Sequence, residues 1–385
     1  MDSKLTYLDN AATSFPKPEC VYDAVAKAMR EDCGNPGRSG HRLSLAAGRI
    51  VQDARVMCAR LINAASPESI IFTANATAAL NIGIKGIVKP GDHVITSSLE
   101  HNSVSRPLRH MEHLGVSVTK LPTDLHCGIK IEDLEKAVRS DTRLVLCTHV
   151  SNVTSTVNDI SSIGSFCRDR GIVFFVDAAQ SAGCRPIDVR DMCVDILAFP
   201  GHKGLFGPQG TGGLYIMPGL EMNTLIQGGT GSKSESLTQP EAMPEKFEAG
   251  TQNTLGLAGL AAGVRFVLET GIEQIGHWES MLANRLIEGV SNMSGIRVIG
   301  PGLAPNRGSI VSLHIDNTSA ADAALMLDAA FSIAARGGLH CSADAHRSIG
   351  TLEGGGTLRI SPNLFNTEDD IDRCLSALEA CAKGF

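Results

Sequence analysis

One stretch of the sequence decides the fold, and it reads Val194-Asp195-Ile196-Leu197-Ala198-Phe199-Pro200-Gly201-His202-Lys203-Gly204. Its apolar first part predicts a strand buried in a sheet that is covered on both faces. Lys203 follows the strand end, where burial would lower the pKa of its amine and leave part of it neutral and nucleophilic. Such a lysine can form a Schiff base with a carbonyl compound. Taken alone, the motif is better explained by a surface lysine that extends off a strand end.

Length and composition narrow the class of protein. A chain of 385 residues is expected to form about two domains. The net charge of -7, with no basic block, argues against nucleic acid or an anionic membrane as the main partner. The N-terminal residues lack an apolar signal core, and no apolar run approaches the ~20 residues that span a bilayer. The eleven cysteines include no Cys-x-x-Cys pair. We therefore expect a soluble cytoplasmic protein with reduced thiols and no metal site.

Apolar segments alternate with helical patterns through the first two thirds of the chain. The predicted strands are 70–72, 94–96, 116–119, 144–147, 172–176 and 194–199. This repetition predicts a mostly parallel, doubly wound sheet. From about residue 255 the pattern changes to two long helices, short strands and a last helix that opens at Thr367, with Asp370 as its capping partner. The C-terminal part is therefore predicted to be a smaller α+β domain.

Polar residues follow the predicted strand ends one after another. In chain order they are Thr77, His101, Asn152, Asp177 and Lys203. Ligands of parallel sheets gather at the carboxyl ends of the strands, and a helix N-terminus there can bind an anion. Asp177 would be costly to bury without a cationic partner, and a pyridinium N–H is such a partner. Together these positions predict a site for pyridoxal 5′-phosphate (PLP).

At this point the chain resembles the fold-type I PLP enzymes of the class V aminotransferase group, and it is most similar to the cysteine desulfurase and selenocysteine lyase family. The matching stretches are Leu8-Asp9-Asn10-Ala11-Ala12-Thr13, Glu100-His101-Asn102, Ser151-Asn152-Val153, Val176-Asp177-Ala178-Ala179-Gln180-Ser181-Ala182-Gly183, Gly201-His202-Lys203 and Glu248-Ala249-Gly250-Thr251. The resemblance implies a mostly parallel seven-stranded sheet between helices, with a smaller α+β C-terminal domain. It divides the chain into an N-terminal segment (1–15) that packs with the small domain, a large PLP-binding domain (16–255) and the small domain itself (256–385).

The resemblance also implies a role for each matching residue. Lys203 would hold PLP and act in catalysis, and Asp177 would pair with the ring nitrogen. His101 would stack on the ring and take part in catalysis. The remaining cofactor contacts would be Gln180 and Asn152 at the ring hydroxyl, and Ala76, Thr77 and His202 at the phosphate. Gly250 and Thr251 would reach the phosphate in the partner subunit, which implies a homodimer.

A second resemblance selects the reaction. Arg336-Gly337-Gly338-Leu339-His340-Cys341 is similar to the Arg-x-Gly-x-His-Cys stretch of the group II cysteine desulfurases. Cys341, in a glycine-rich loop where a thiolate can be exposed and stabilised, would take sulfur from cysteine as a persulfide and leave L-alanine. A protein or a small thiol would then accept the sulfur. Arg359 would bind the substrate carboxylate through both ends of its guanidinium, with Asn152, Arg38 and Ala11 also at the substrate.

Some positions depart from the family pattern and leave alternatives open. Pro200 stands where relatives often carry serine, and Gly37 and Leu339 stand where group II enzymes carry histidine. The glycines at 354–356 make the stretch 342–356 look loose. A selenocysteine lyase would use the same residues, whereas another PLP lyase, transaminase or epimerase would not use Cys341. A PLP-holding scaffold with little catalysis is a further alternative, against which Lys203, Asp177 and Arg359 argue.

Overall fold

The computed structural model describes residues 5–37 and 39–383. The strands are β1 Thr6–Tyr7, β2 Ile70–Thr73, β3 His93–Ser97, β4 Ser117–Leu121, β5 Thr142–Thr148, β6 Val173–Asp177, β7 Ile196–Pro200, β8 Gly212–Ile216, β9 Ile296–Ile299, β10 Val311–Ile315, β11 Ile333–Ala334, β12 Arg336–Gly338 and β13 Thr357–Ile360. The α-helices are α1 Glu19–Glu31, α2 Arg42–Leu61, α3 Ala76–Ile87, α4 Asn102–His113, α5 Ile131–Ala137, α6 Ile160–Asp169, α7 Thr254–Thr270, α8 Ile272–Ser291, α9 Ala320–Phe331, α10 Ala343–Ser348 and α11 Glu368–Lys383.

The large sheet has seven strands in the order β2-β8-β7-β6-β5-β3-β4. All neighbours pair in parallel except β8, which runs antiparallel to both β2 and β7. The predicted mostly parallel sheet is therefore confirmed. The hydrophobic pattern did not reveal β8, because this short strand opens with two glycines. Gly213 is needed there, since a Cβ atom would collide with the ring of Phe199 on β7.

Both faces of this sheet are buried, as the continuous apolar strands predicted. On β6, Phe174 belongs to one hydrophobic core and Phe175 to the other. Leu197 and Ala198 divide in the same way on β7. Because successive side chains of a strand point to opposite faces, a strand between two cores must be apolar at every position.

The C-terminal part contains a second sheet of four antiparallel strands in the order β12-β13-β10-β9. Helices α8, α9 and α11 share its hydrophobic core. The predicted cap of α11 is confirmed, because Asp370 N–H donates to Thr367 Oγ1 at 3.2 Å and Thr367 N–H donates to Asp370 Oδ2 at 3.0 Å. Strand β1 pairs in parallel with β11, which joins the start of the described chain to this part. The domain limits at 15/16 and 255/256 stay a prediction.

Within the described ranges no single helix is long and apolar enough to cross a membrane. Helices α7 and α8 meet the length and composition test only as a pair, and they bend by 81° relative to each other. Helix α7 packs against α1 and α2, and many of its side chains share a hydrophobic core with one face of the seven-stranded sheet.

Candidate active site

The carboxyl ends of β2, β3, β5, β6 and β7 surround a cavity of about 170 Å³. It is lined by Asn75, Ala76, Thr77, Leu80, His101, Ser103, Thr148, Asn152, Asp177, Ala179, Gln180, Pro200, His202 and Lys203. The structure thus brings together the residues of this chain that were predicted to lie at the cofactor ring and at its own phosphate. This follows from parallel pairing, which collects the ends of distant segments at one edge of the sheet.

Lys203 projects from the turn after β7 into this cavity. The pKa of its amine is lowered to about 8, chiefly by burial; the charge of Asp177 opposes this shift, and the charges of Arg359 and Arg336 add to it. Ser14 Oγ donates to the Lys203 carbonyl at 2.9 Å and fixes this turn. A lysine in these surroundings is partly neutral near neutral pH and can act as a nucleophile or a base.

Asp177 is the last residue of β6 and is 2% exposed. Burial raises the pKa of its carboxyl, while the Ala179 N–H, at 2.9 Å from Oδ1, and the charge of Lys203 lower it. Within residues 5–37 and 39–383, no cationic group lies within 4 Å of this carboxylate. A buried carboxylate that faces a cavity is poised to bind a cationic N–H group of a ligand.

His101 caps the N-terminus of α4. Ser103 N–H donates to its Nδ1 at 3.0 Å, so the ring proton lies on Nε2. Burial lowers the pKa of His101 to about 4, and nearby Lys203 and arginines act in the same direction. The imidazole is therefore neutral, and its plane is fixed at the wall of the cavity.

The N-terminus of α3 forms the anion-binding end of the cavity. Asn75 caps this helix by accepting the Ala78 N–H at 2.9 Å, and the free N–H groups of the first turn begin at Ala76. Thr77 Oγ1 lies 2.7 Å from Ser103 Oγ. His202 adds a buried Nδ1 that has no hydrogen-bond partner in the described chain. These groups fit a phosphate.

Gln180 and Ala11 lie beside the lysine. Gln180 Nε2 donates to the Ala11 carbonyl at 3.1 Å, and Ala11 N–H donates to Ser361 Oγ at 3.0 Å. Ala11, Gln180 and Lys203 also line a smaller cavity of about 40 Å³. Ala11 is therefore adjacent to Lys203, although its predicted contact with substrate stays a prediction.

Arg359, on β13, is 1% exposed. Its Nη2 donates to Asp9 Oδ1 at 2.8 Å, its Nη1 donates to the Asn152 carbonyl at 3.3 Å, and its Nε is buried without a partner in the described chain. The ion pair with Asp9 gives Arg359 a structural role in addition to the predicted contact with the substrate carboxylate. Arg38, the other arginine predicted at the substrate, lies outside the described residues.

The predicted sulfur acceptor Cys341 lies on a turn between β12 and α10 and is exposed. Arg336 Nη2 lies 3.6 Å from the Sγ of Cys341. The carbonyl of Cys341 accepts the Asn102 N–H, at the start of α4, at 2.7 Å. His340 and Cys341 both have left-handed backbones, with φ of 49° and 58°. The stretch that looked loose in the sequence is partly ordered as helix α10.

Asn152 connects this turn to the cavity. Its Nδ2 donates to the His340 carbonyl at 2.8 Å, and its Oδ1 accepts from Ser342 Oγ at 2.9 Å. The sequence predicted this amide at the cofactor ring and the substrate. In the structure it lines the cavity and also holds the turn that carries Cys341.

No sequence pattern indicated a role for Thr148 and Ser103, which line the cavity, or for Glu100, which contacts Thr148. Glu100 is completely buried, and burial raises the pKa of its carboxyl to about 8. Thr148 N–H donates to Glu100 Oε1 at 3.0 Å, beside Asp177 on the neighbouring strand. The sequence feature that could have indicated Glu100 is its position directly before His101, after an apolar strand.

Gly250 and Thr251 do not line the cavity that contains Lys203. Thr251 lines a separate cavity of about 320 Å³, next to Phe247 and Glu248. Gly250 has a φ of 98°, a conformation that favours glycine. Their predicted contact with a partner subunit stays a prediction.

Known proteins are similar to this chain over nearly its whole length. The family model described as Aminotransferase class-V matches residues 6–374. The chain belongs to the class-V aminotransferase family. This class-V chain is 38% identical to a probable cysteine desulfurase of Methanothermobacter thermautotrophicus over 381 residues, which are 98% of this chain and 94% of the relative. It is 33% identical to a cysteine desulfurase of Yersinia pseudotuberculosis, with 98% of this chain and 94% of the relative covered.

Solved structures give the same picture for the class-V fold. The apo structure of a cysteine desulfurase from Thermococcus onnurineus superposes with a TM-score of 0.93 at 32% identity, over 99% of this chain and 96% of the other. The cysteine desulfurase CsdA from Escherichia coli superposes with a TM-score of 0.88 at 29% identity, over 98% and 95%. The expected fold-type I architecture and the resemblance to the class V group are confirmed.

Proposed function

We propose that this chain is a PLP-dependent cysteine desulfurase, which releases L-alanine from L-cysteine and receives the sulfur on Cys341. One observation carries the proposal. The exposed thiol of Cys341 lies on a turn that is hydrogen-bonded to Asn152, and Asn152 lines the same cavity as Lys203 and Asp177. The names of the relatives support the same activity.

The residues of the cavity fit PLP. Lys203 would hold the cofactor covalently, and the buried Asp177 would pair with its ring nitrogen. The His101 imidazole would stack on the cofactor ring, and Gln180 and Asn152 would lie near the ring hydroxyl. Its phosphate would be held by the N–H groups at Ala76 and Thr77, together with His202. The donor set supports this fit, because Asp177 is buried without a cation and His202 Nδ1 is buried without a partner in the described chain.

When bound, PLP withdraws electrons from the Cα atom of an amino acid and makes its proton acidic. Lys203 then serves as the base, because its pKa of about 8 allows it to take and release a proton near neutral pH. Asp177 would place a negative charge beside the ring nitrogen and so favour its protonated form, which withdraws electrons more strongly. Arg359 would bind the substrate carboxylate, and its Nε, which has no hydrogen-bond partner among the described residues, supports this role.

Cys341 would perform the sulfur transfer as a thiolate. Its Sγ forms a bond to the substrate sulfur while the Cβ–S bond breaks, and the electron pair of that bond stays on the carbon skeleton that leaves as alanine. Arg336, at 3.6 Å, and the N-terminus of α4, which donates to the Cys341 carbonyl, give the thiolate positive surroundings.

The proposal includes a homodimer in which Gly250 and Thr251 reach the phosphate in the partner subunit. Thr251 lies outside the cavity of Lys203 in its own chain, which supports a role for Thr251 at the site of a partner. A protein or a small thiol would accept the sulfur from Cys341. The cytoplasm stays the predicted compartment.

The same residues would serve a selenocysteine lyase, so substrate preference is part of the test. The purified protein is incubated with L-cysteine and, separately, with L-selenocysteine, and alanine is measured with sulfide or selenide. We expect alanine from cysteine. Release of alanine from selenocysteine but not from cysteine would overturn the proposed desulfurase activity and favour a selenocysteine lyase. Formation of pyruvate or a transaminated product without alanine would favour a class-V enzyme that does not use Cys341.

A further inference from the structure

The turn that carries Cys341 is held in an unfavourable backbone conformation. His340 and Cys341 are consecutive and both left-handed, with φ of 49° and 58°. Neither is glycine, and such conformations persist only where the surrounding contacts fix them. The contacts around the turn therefore decide where the thiol lies.

Asn152 fixes this turn on both sides of the thiol. Its Nδ2 donates to the carbonyl of His340, the residue before Cys341, at 2.8 Å. Its Oδ1 accepts from the hydroxyl of Ser342, the residue after Cys341, at 2.9 Å. One amide thus holds the two neighbours of the proposed sulfur acceptor.

Ser342 anchors the acceptor end of that amide. A carbonyl oxygen only accepts, so the His340 carbonyl requires the Nδ2 end of Asn152. The Ser342 hydroxyl then donates to Oδ1 and holds the amide from its other end. Ser342 is completely buried, so water would not easily replace its hydroxyl if it were removed.

We propose that Ser342 is a positioning residue for sulfur transfer, which anchors the Asn152 amide and thereby holds Cys341 toward the Lys203 cavity. This inference rests on the proposed function and concerns a residue for which no sequence pattern indicated a role. The Ser342 hydroxyl donates to Asn152 Oδ1, so Ser342 acts through Asn152.

The test compares Ser342→Ala with Ser348→Ala in the PLP-loaded enzyme. Ser348 lies at the end of α10 and donates to the Ala345 carbonyl at 2.8 Å, so its change also removes one hydroxyl from this segment. Two rates are measured for each protein: alkylation of Cys341 by iodoacetamide, quantified on its own peptide, and formation of the Cys341 persulfide in a single turnover with cysteine. PLP absorbance and PLP affinity are recorded as controls.

In Ser342→Ala we expect persulfide formation to slow by about tenfold, and Cys341 alkylation to rise by about threefold or more, because Asn152 Oδ1 loses its partner and the turn relaxes. PLP absorbance and affinity should stay at the parent values. Ser348→Ala should match the parent in both rates. In an Asn152→Ala background, the further change to Ser342→Ala should have little additional effect, because the two residues act as one unit.

Equal persulfide and alkylation rates in Ser342→Ala and the parent would overturn the inference. Equal, additive losses in the Asn152→Ala background would do so as well, because Ser342 would then act independently of the amide. If the parent releases no alanine from cysteine, but Ser342→Ala still speeds Cys341 alkylation and Ser348→Ala does not, the proposed function fails while the positioning of Cys341 by Ser342 stands.

Discussion

At the scale of single residues, the chemistry of the site depends on what surrounds two charged side chains. Lys203 is a reactive amine because burial lowers its pKa to about 8. Asp177 opposes that shift, because its negative charge favours the ammonium form. The two residues lie on different strands, and the sheet brings their charges together.

The first prediction concerns this coupling. In Asp177→Asn the loss of the negative charge should lower the pKa of Lys203 below its present value of about 8. Only the neutral amine reacts with PLP, so the pH at which PLP uptake by the apoprotein is half-maximal should move to lower pH. Uptake is followed by absorbance across pH 6–9, with the exposed Asp191→Asn as the control. An unchanged midpoint in Asp177→Asn would contradict the proposed charge coupling.

Residue types after strand ends were enough to predict most of the cavity, including Lys203, Asp177, His101 and Asn152. The sequence could not show that Arg359 pairs with Asp9 or that Asn152 holds Ser342, because these contacts join residues that are far apart in the chain. Glu100 was missed because a buried neutral carboxyl has no distinct sequence pattern.

At the scale of secondary structure, the N-terminus of α3 links helix stability to anion binding. Asn75 Oδ1 accepts the Ala78 N–H at 2.9 Å, which leaves the Ala76 and Thr77 N–H groups ordered at the cavity. The Asn75 cap should therefore affect two measurable quantities, the free energy of unfolding and the affinity for PLP.

The second prediction separates these effects. Asn75→Ala should lower the free energy of unfolding by about 0.5–2 kcal/mol and also weaken PLP affinity, because the first turn of α3 loses its cap. Ser319→Ala removes the corresponding cap of α9, where Ser319 Oγ accepts the Asp322 N–H at 3.1 Å. That control should lose similar stability in urea unfolding and keep its PLP affinity. Unchanged PLP affinity in Asn75→Ala would argue against the phosphate site.

Strands and helices with a strong hydrophobic or capping pattern were predicted from the sequence, whereas elements with a weak pattern were missed. The continuously apolar strands and the Thr367 cap of α11 agree with the structure. Strand β8 was missed because Gly212 and Gly213 hide its pattern, and α10 because glycines follow it closely. In both cases packing against other parts of the chain overrides a weak local preference.

At the scale of the whole molecule, a buried ion pair joins helix α2 to the segment that leads to Gly250. Arg55 donates from both terminal nitrogens to Glu248, at 2.8 Å for each contact. The two side chains are 4% and 6% exposed. Glu248 Oε1 also accepts the Phe72 N–H at 2.6 Å, so the pair is tied to strand β2.

The third prediction follows from the burial of this pair. Arg55→Met leaves Glu248 buried without its cation and should lower the free energy of unfolding by about 3–5 kcal/mol. Arg265→Met breaks an exposed pair with Asp53 and should lower it by about 0–1 kcal/mol. Urea unfolding measures both. Equal losses in the two variants would contradict the account of the buried pair.

The fourth prediction is a pH dependence of stability. Burial raises the pKa of Glu279 on α8 to about 8, so the folded protein keeps this proton between pH 4.5 and 8, whereas the unfolded chain loses it. Stability should therefore fall as pH rises through this range. In Glu279→Gln the fall between pH 6 and pH 8 should be smaller than in the parent, by up to about 1.4 kcal/mol per pH unit. The exposed Glu273→Gln serves as the control, and an identical fall in Glu279→Gln would refute the assignment.

In the proposed reaction, Lys203 takes the Cα proton of the substrate and Cys341 receives its sulfur. Both roles are measured together by mass spectrometry of every cysteine peptide after one turnover with L-cysteine, combined with the amount of alanine released. We expect a persulfide on Cys341, alanine in equal amount, the same result in the exposed-cysteine control Cys127→Ala, and neither product in Lys203→Ala. Alanine release by Cys341→Ala at the parent rate would contradict the proposed reaction.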